Sequence, residues 1–119
     1  QRLREGSCGG GKFRGGLGIE VTVRVLCDAS TNINVERQRT APWGLFGGEC
    51  GERAKAWVKQ SPDDPGVGLT TNPNYPVKQG GSVTFFTAGG GGYGSIDERP
   101  CELIERDARL GYMPAIDGR

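Results

Sequence analysis

Gly9-Gly10-Gly11-Lys12-Phe13-Arg14-Gly15-Gly16-Leu17-Gly18 decides how the rest of the chain is read. Six of these ten residues are glycine. Glycine takes positive φ without a Cβ clash and loses the most backbone freedom on folding. So dense a run is either a flexible tether or a path that only glycine can follow. Two later stretches share its character, Pro42-Trp43-Gly44-Leu45-Phe46-Gly47-Gly48 and Gly89-Gly90-Gly91-Gly92-Tyr93-Gly94. A flexible linker mixes its glycine with serine, whereas these mix it with large apolar side chains. Phe13, Leu17, Trp43, Phe46 and Tyr93 therefore read as anchors that pin glycine loops onto something.

The chain has 119 residues, of which 34% are apolar and 22 are glycine. That is enough for one domain with its own core, and the lean apolar content predicts a thin core or a face that needs a partner. Fifteen cations against 14 anions leave a net charge of +1. No basic excess marks a nucleic-acid or anionic-membrane footprint, so neither partner is expected. Without histidine, a histidine triad, metal site or proton shuttle is excluded within this chain. No apolar run approaches the roughly 18 residues of a membrane span. Gln1-Arg2-Leu3-Arg4 has neither methionine nor an apolar leader, and is read as the start of a processed piece or of a portion of something longer. Cys8, Cys27, Cys50 and Cys101 are widely spaced, with no Cys-x-x-Cys pair to pre-form half a zinc site. They read as free thiols, with Cys27 a small core hydrophobe. Disulfides and a four-cysteine zinc site are the alternatives.

Ile19 to Cys27 alternates Ile19, Val21, Val23, Val25 and Cys27 with Glu20, Thr22, Arg24 and Leu26, which predicts a half-buried strand. Asp28-Ala29-Ser30 is turn chemistry, and Thr31 to Gln38 is expected to return as the second arm of an antiparallel hairpin. Glu36-Arg37-Gln38-Arg39 reads as a solvated strand end, or as two guanidiniums, Arg37 and Arg39, held at a subunit edge. Pro42 breaks the sheet, and Trp43 and Phe46 are expected to form a lid on the domain's own core. Ala54 to Gln60 alternates as a short strand. Ser61 to Gly66 and Asn72 to Pro76 are turn clusters, with a short strand at Val67 to Thr70 between them. Ser82 to Thr87 is a further strand. Pro100 to Leu110 has helical spacing, with Cys101, Ile104 and Ala108 on one stripe and Gly111 placed as its C-terminal cap. The predicted fold is mainly β (α+β): short antiparallel strands, glycine-rich loops and one C-terminal helix, in a single module over residues 1–119.

Little here is catalytic on its own. The run ending at Gly94 lacks the Gly-Lys-Ser/Thr of a phosphate loop, and no βαβ unit surrounds it. Lys12 and Arg14 could hold an anion with help from backbone N–H groups. Asp63 and Asp64 point apart if extended, and no Gly-x-Ser-x-Gly elbow occurs.

Gly6-Ser7-Cys8-Gly9-Gly10-Gly11-Lys12-Phe13-Arg14-Gly15-Gly16-Leu17-Gly18 resembles a signature near the C-terminus of hydantoinase B / 5-oxoprolinase-type proteins, Gly-Ser-Gly-Gly-x-Gly-Lys/Arg-aromatic-Arg-Gly-Gly-Leu-Gly. Three more blocks follow in the family's order: Glu36 to Arg39 leading to Pro42 through Gly48, then Thr87 through Gly94, then the Pro100 helix ending at Gly111-Tyr112. The resemblance covers nearly the whole chain but only the family's C-terminal region. The longer N-terminal part, which carries the family's metal-binding Asp and His residues, has no counterpart here. Cys8 stands where glycine is usual, Cys50 lies in a loop usually free of cysteine, and Asp63 to Asn74 departs from the usual basic connection.

The resemblance implies a non-catalytic piece of an ATP-dependent assembly with larger hydantoinase A-type and B-type subunits, located in the cytoplasm. ATP and a divalent metal are expected in those partners, with no cofactor or metal bound by this chain. The implied chemistry is ketone carboxylation through a phosphorylated enol, as in acetone or acetophenone carboxylases, the latter having a small separate subunit. The alternative is hydrolysis of a lactam such as 5-oxoproline or N-methylhydantoin. An independent anion-binding module and a zinc-stabilised domain are further alternatives. Lys12, Phe13, Arg14, Arg37, Arg39, Trp43, Phe46 and Tyr93 are the candidate contacts to a partner or an anion.

Overall fold

In the computed structural model, which describes residues 1–115, the strands are β1 (Arg2–Leu3), β2 (Ile19–Arg24), β3 (Ala29–Ile33), β4 (Lys55–Lys59), β5 (Val67–Leu69), β6 (Asn72–Val77) and β7 (Ser82–Phe86). A 3-10 turn at Ile96–Glu98 leads into the helix α1 (Cys101–Arg109). Five strands form one antiparallel sheet in the order β1-β2-β7-β4-β5, and β3 pairs with β6 in a second. The mainly β architecture with a C-terminal helix is the one the sequence predicts.

The expected β2–β3 hairpin does not form. The chain from Ile19 to Ile33 instead runs against the chain from Asn72 to Phe86 as one long bent ribbon. Glu20 faces Phe86 and Arg24 faces Ser82 on one side of the bend, and Ala29 faces Val77 on the other, in the same register. At the bend, the Val25 N–H donates to the Gly81 carbonyl at 3.0 Å and the Gly80 N–H to the Val25 carbonyl at 3.0 Å. The Gln79 N–H donates to Asp28 Oδ1 at 2.8 Å. Asp28 therefore spends its turn-forming carboxylate across the ribbon rather than on its own loop.

The Asn72-Pro73-Asn74-Tyr75-Pro76 cluster, read as a turn, is strand β6. Within its two-stranded sheet β6 pairs only with β3, so its prolines do not interrupt a ladder on both sides. Asn74 takes φ +55 and its N–H donates to Asn32 Oδ1 at 2.8 Å, beside a register shift between Thr31 and Ile33. Turn-prone residues here make a bulge, not a reversal.

Alternation is clearest at β4, where Ala56 and Val58, with Ala54 just before the strand, are buried. Ala56 and Val58 join Val83 of β7 and Ile33 and Val77 of the second sheet in the core cluster. Val25, Val35, Leu69, Tyr75 and Phe85 pack around it. A fully buried Val or Ile contributes about 1.5–3 kcal/mol, so this core is thin for the chain's length. Cys27 is not part of it and lies exposed.

The remainder of the fold rests on glycine. Residues 7–18, 42–52 and 87–95 lie side by side with backbone hydrogen bonds between every pair of segments. The Gly9 N–H donates to the Gly90 carbonyl at 2.8 Å, the Glu49 N–H to Gly10 at 2.8 Å, and the Gly92 N–H to Glu49 at 2.9 Å. No side chain fits between them. A Cβ on Gly89 would sit 1.7 Å from the Ser7 carbonyl oxygen, and one on Gly91 would sit 1.9 Å from that of Trp43.

The helix ends as predicted. Gly111 takes φ +69, with its N–H on the Ala108 carbonyl at 3.1 Å and the Tyr112 N–H on Asp107 at 2.8 Å, a Schellman cap. Its expected apolar stripe is weaker than the sequence indicates. Cys101 is exposed, Ile104 and Ala108 are half-buried, and the buried residue is Asp107.

Gly89→Ala should lower unfolding free energy by roughly 3 kcal/mol or more, because backbone must move to admit the methyl group. Gly16→Ala, with nothing within 4 Å of the new Cβ, should change it by less than about 1 kcal/mol in either direction. Urea unfolding of the two variants measures the contrast.

Candidate docking surface

Each glycine segment carries an apolar side chain to one place. Phe13 and Tyr93 exchange backbone hydrogen bonds at 3.0 and 2.8 Å, an isolated antiparallel bridge, and Leu45 bridges Tyr93 from the other side. The Phe46 ring centroid lies 5.2 Å from that of Tyr93, and the Phe13 ring 6.3 Å from it on a tilted contact. Such ring pairs are within range of favourable edge contact. Yet all four side chains are exposed, Phe46 at 78%.

Phe46 and Trp43, expected as a lid on the domain's own core, do not cover it. Trp43 is 64% exposed and its ring lies 5.2 Å from the Arg37 guanidinium. Phe46 occupies the tip of a tight turn. The Gly48 N–H donates to the Leu45 carbonyl at 3.0 Å, and the two residues between have φ +50 (Phe46) and +88 (Gly47). A Cβ-bearing residue in that region costs about 1–2 kcal/mol, and the short Leu45-Phe46-Gly47-Gly48 path forces it there.

Arg14 is committed inside the protein. Its Nε donates to Asp107 Oδ2 at 2.8 Å, and Arg99 Nη2 donates to the same oxygen at 2.7 Å. Asp107 is 5% exposed. The Arg14 guanidinium also lies 5.2 Å from the Tyr112 ring, and Arg99 Nη1 donates to the Lys12 carbonyl at 3.0 Å. The three charges clamp the first glycine segment to the helix. Lys12 Nζ pairs with Glu98 Oε2 at 3.0 Å on the surface. Arg37 and Arg39 are exposed and line an open cleft of about 360 Å³ with Glu36, Gln38 and Thr70. The structure thus gathers Phe13, Phe46 and Tyr93, sets Lys12 beside them, turns Arg14 inward, and places Arg37, Arg39 and Trp43 in a separate group.

Sequence reasoning missed Asp107, Arg99, Leu45 and Glu49. Glu49 Oε2 accepts from the Gly10 N–H at 3.2 Å. Asp107 carries no local signal, because its partners lie 93 and 8 residues away.

A phosphate would need the glycine N–H groups, but those of Gly89, Gly90, Gly92, Tyr93 and Gly94 already donate to protein carbonyls. Among the described residues no three of Cys, Asp and Glu converge as a metal would require. Cys27, Cys50 and Cys101 are exposed free thiols. Cys8 is buried, its Sγ 3.1 Å from Met113 Sδ. Burial pushes its thiol above the ordinary value of 9.0, against the opposing pull of the Arg14 charge. Among the described residues no helix is long and apolar enough to cross a membrane.

Residues 1–96 match the family model described as Hydantoinase B/oxoprolinase. The chain belongs to this family. An uncharacterized protein of Methanocaldococcus jannaschii is 37% identical over 90% of the chain, and 19% of its own length is covered. The 5-oxoprolinase of Dictyostelium discoideum is 34% identical over 80% of the chain and 7% of its own length. The B-type subunit of a putative D-/L-hydantoinase from a Pseudomonas species is 30% identical over 93% of the chain and 19% of its own length. Among solved structures, the ATP-dependent caprolactamase of Pseudomonas jessenii superposes with a TM-score of 0.81 at 26% identity, over 98% of this chain and 22% of that one. An acetone carboxylase shares the fold, with a TM-score of 0.78 at 18% identity, over 95% of this chain and 19% of that one. The chain therefore spans about a fifth or less of the family members it matches.

Two variants test the internal contacts. Asp107→Asn leaves two guanidiniums without their counter-charge and should cost about 3 kcal/mol, whereas Glu98→Gln, on an exposed pair, should cost less than about 1 kcal/mol; denaturant titration separates them. The Cys8 shift also fixes a pH dependence. A raised folded-state pKa gives stability that is complete below the ordinary thiol pKa and is lost as pH rises through the folded value. Unfolding midpoints between pH 7 and pH ~10, above the ordinary thiol range, should fall more steeply for the native chain than for Cys8→Ala.

Proposed function

We propose that this chain serves as a non-catalytic structural module of a hydantoinase B-type subunit, within an ATP-dependent assembly that opens cyclic amides. The observation that carries this is the exposed Phe13–Phe46–Tyr93 cluster, held on a backbone scaffold that only glycine can build. A single domain that acted alone would gain by covering those rings. Among the described residues the buried charged residue is Asp107, and Arg14 and Arg99 compensate its charge within the chain.

The relatives whose names state a reaction support this reaction class. A 5-oxoprolinase, a putative hydantoinase and a caprolactamase stand at 26–34% identity. All three names denote action on a cyclic amide. Ketone carboxylation is the second reading, favoured by the shared fold with acetone carboxylase. In either case ATP and a divalent metal belong to hydantoinase A-type and B-type partners in the cytoplasm. This chain's part is to fix a surface against which they close.

Purification from the source cells with its native partners, followed by native mass spectrometry and turnover assays, tests the reading. The expected result is a heteromeric mass and ATP-dependent ring opening of 5-oxoproline, a hydantoin or caprolactam. ATP-dependent carboxylation of acetone or acetophenone would transfer the assignment to the second reading. A solitary chain that turns over substrate unaided would overturn both.

A further inference from the structure

We propose that Phe46 is the anchor of the contact between this chain and the larger remainder of a hydantoinase B-type polypeptide, its ring entering an apolar socket there. The inference rests on the proposed membership of such an assembly and names the contact within it.

Phe46 is unfavourable twice over in the chain by itself. Its backbone lies at φ +50, where glycine or asparagine is at home and a bulky residue is an outlier. The residue is also 78% exposed, with the Tyr93 ring 5.2 Å away as its aromatic contact. Strained positions persist where surrounding structure over-determines them, and they gather at functional sites. The surroundings here do so. The Leu45 N–H donates to the Gly92 carbonyl at 2.9 Å, and the Gly94 N–H donates to the Leu45 carbonyl at 2.9 Å, so the turn is braced on both sides by the third glycine segment. A ring already fixed in its bound position loses little freedom on association, and buried aromatic anchors are the residues that dominate interfaces.

The occupant follows from shape, charge and length. The turn is a projection, and the four clefts described on the protein are lined by other residues. The socket therefore belongs to the other side. A second copy is a poorer source, because the roomiest of these four clefts, about 630 Å³, sets Leu3, Trp57 and Phe86 among the charged Arg2, Arg4, Glu5, Glu20 and Lys55. Lys12, which precedes Phe13 in the chain, is paired with Glu98 at 3.0 Å, and the side chains that meet here, Phe13, Leu45, Phe46 and Tyr93, carry no charge and match an apolar surface. This chain corresponds to 19% of the Pseudomonas hydantoinase polypeptide and 22% of the caprolactamase chain. About four-fifths of a family polypeptide thus lies outside this stretch and is available to cover the cluster.

Incorporation of p-benzoylphenylalanine at position 46, in the whole protein assembled with its native partners, reports what covers the site. Irradiation should join position 46 to a hydantoinase B-type sequence outside these 119 residues. A cross-link to a second copy of this chain, to a hydantoinase A-type chain, or to nothing although the assembly has formed, would overturn the proposal. Phe46→Asn adds a second reading of the same contact. Asparagine tolerates the left-handed backbone, so the isolated variant should melt no lower than the native chain, while the assembly should weaken at least about tenfold as judged by dilution in native mass spectrometry. A lower melting temperature with assembly unchanged would mean that Phe46 only stabilises its own turn. The outcomes for contact and reaction stay separate. An intact cross-link without lactam opening counts against the reaction alone, and lactam opening with Phe46 joined elsewhere counts against the contact alone. Absence of any larger partner ends both.

Discussion

The structure depends on the absence of a Cβ at a few positions where three stretches of backbone touch. Residues 7–18, 42–52 and 87–95 come together closely enough that carbonyl oxygens lie where side chains would begin. Hydrogen bonds between N–H and C=O hold them, and each such bond is worth only about 1 kcal/mol net. The arrangement is stable because many act together and because buried backbone groups must find partners somewhere. Everything attached to these segments inherits their placement. The aromatic cluster forms because all three carry a side chain to one end, and the left-handed turn at Phe46 exists because the second segment must double back within four residues.

Around that centre the protein uses two other forces in sequence. The small apolar cluster of Ile33, Ala56, Val58, Val77 and Val83 joins the two sheets. The Arg14–Asp107–Arg99 clamp joins the helix to the first glycine segment. The clamp is a buried charge set, whose members are costly to bury singly and acceptable only together. It explains why a helix with modest apolar burial stays in place. It also explains why Arg14, which in isolation looks like a ligand for a foreign anion, already has one of its own. The charges balance within a stretch that accounts for about a fifth or less of the related polypeptides.

Much of the architecture was legible in the sequence because period-two alternation is a local property. The strands at Ile19, Lys55, Val67 and Ser82 and the helix at Cys101 were located within a few residues, and the Gly111 cap follows from glycine's access to positive φ. What was not legible is non-local. Asp28-Ala29-Ser30 carries the chemistry of a reversal, yet its carboxylate reaches across to Gln79, which no neighbour in sequence reveals. Pro73 and Pro76 argue against a strand unless its neighbour is known to lie on one side only. The aromatic cluster was half visible. Phe13, Phe46 and Tyr93 announced themselves as rings among glycines, but their meeting point depends on the pairing of three segments, and Leu45 and Asp107 join the picture only in three dimensions.

The glycine region has a thermal consequence as well. It hides amide groups rather than hydrocarbon, and unfolding that exposes polar surface lowers the heat capacity while exposed hydrocarbon raises it. A chain with this proportion of the two should unfold with a heat-capacity increment below the roughly 12–15 cal/mol/K per residue typical of globular domains. Its stability curve is correspondingly flat. Cooling, which erodes proteins held mainly by oily interiors, should leave this one comparatively untouched.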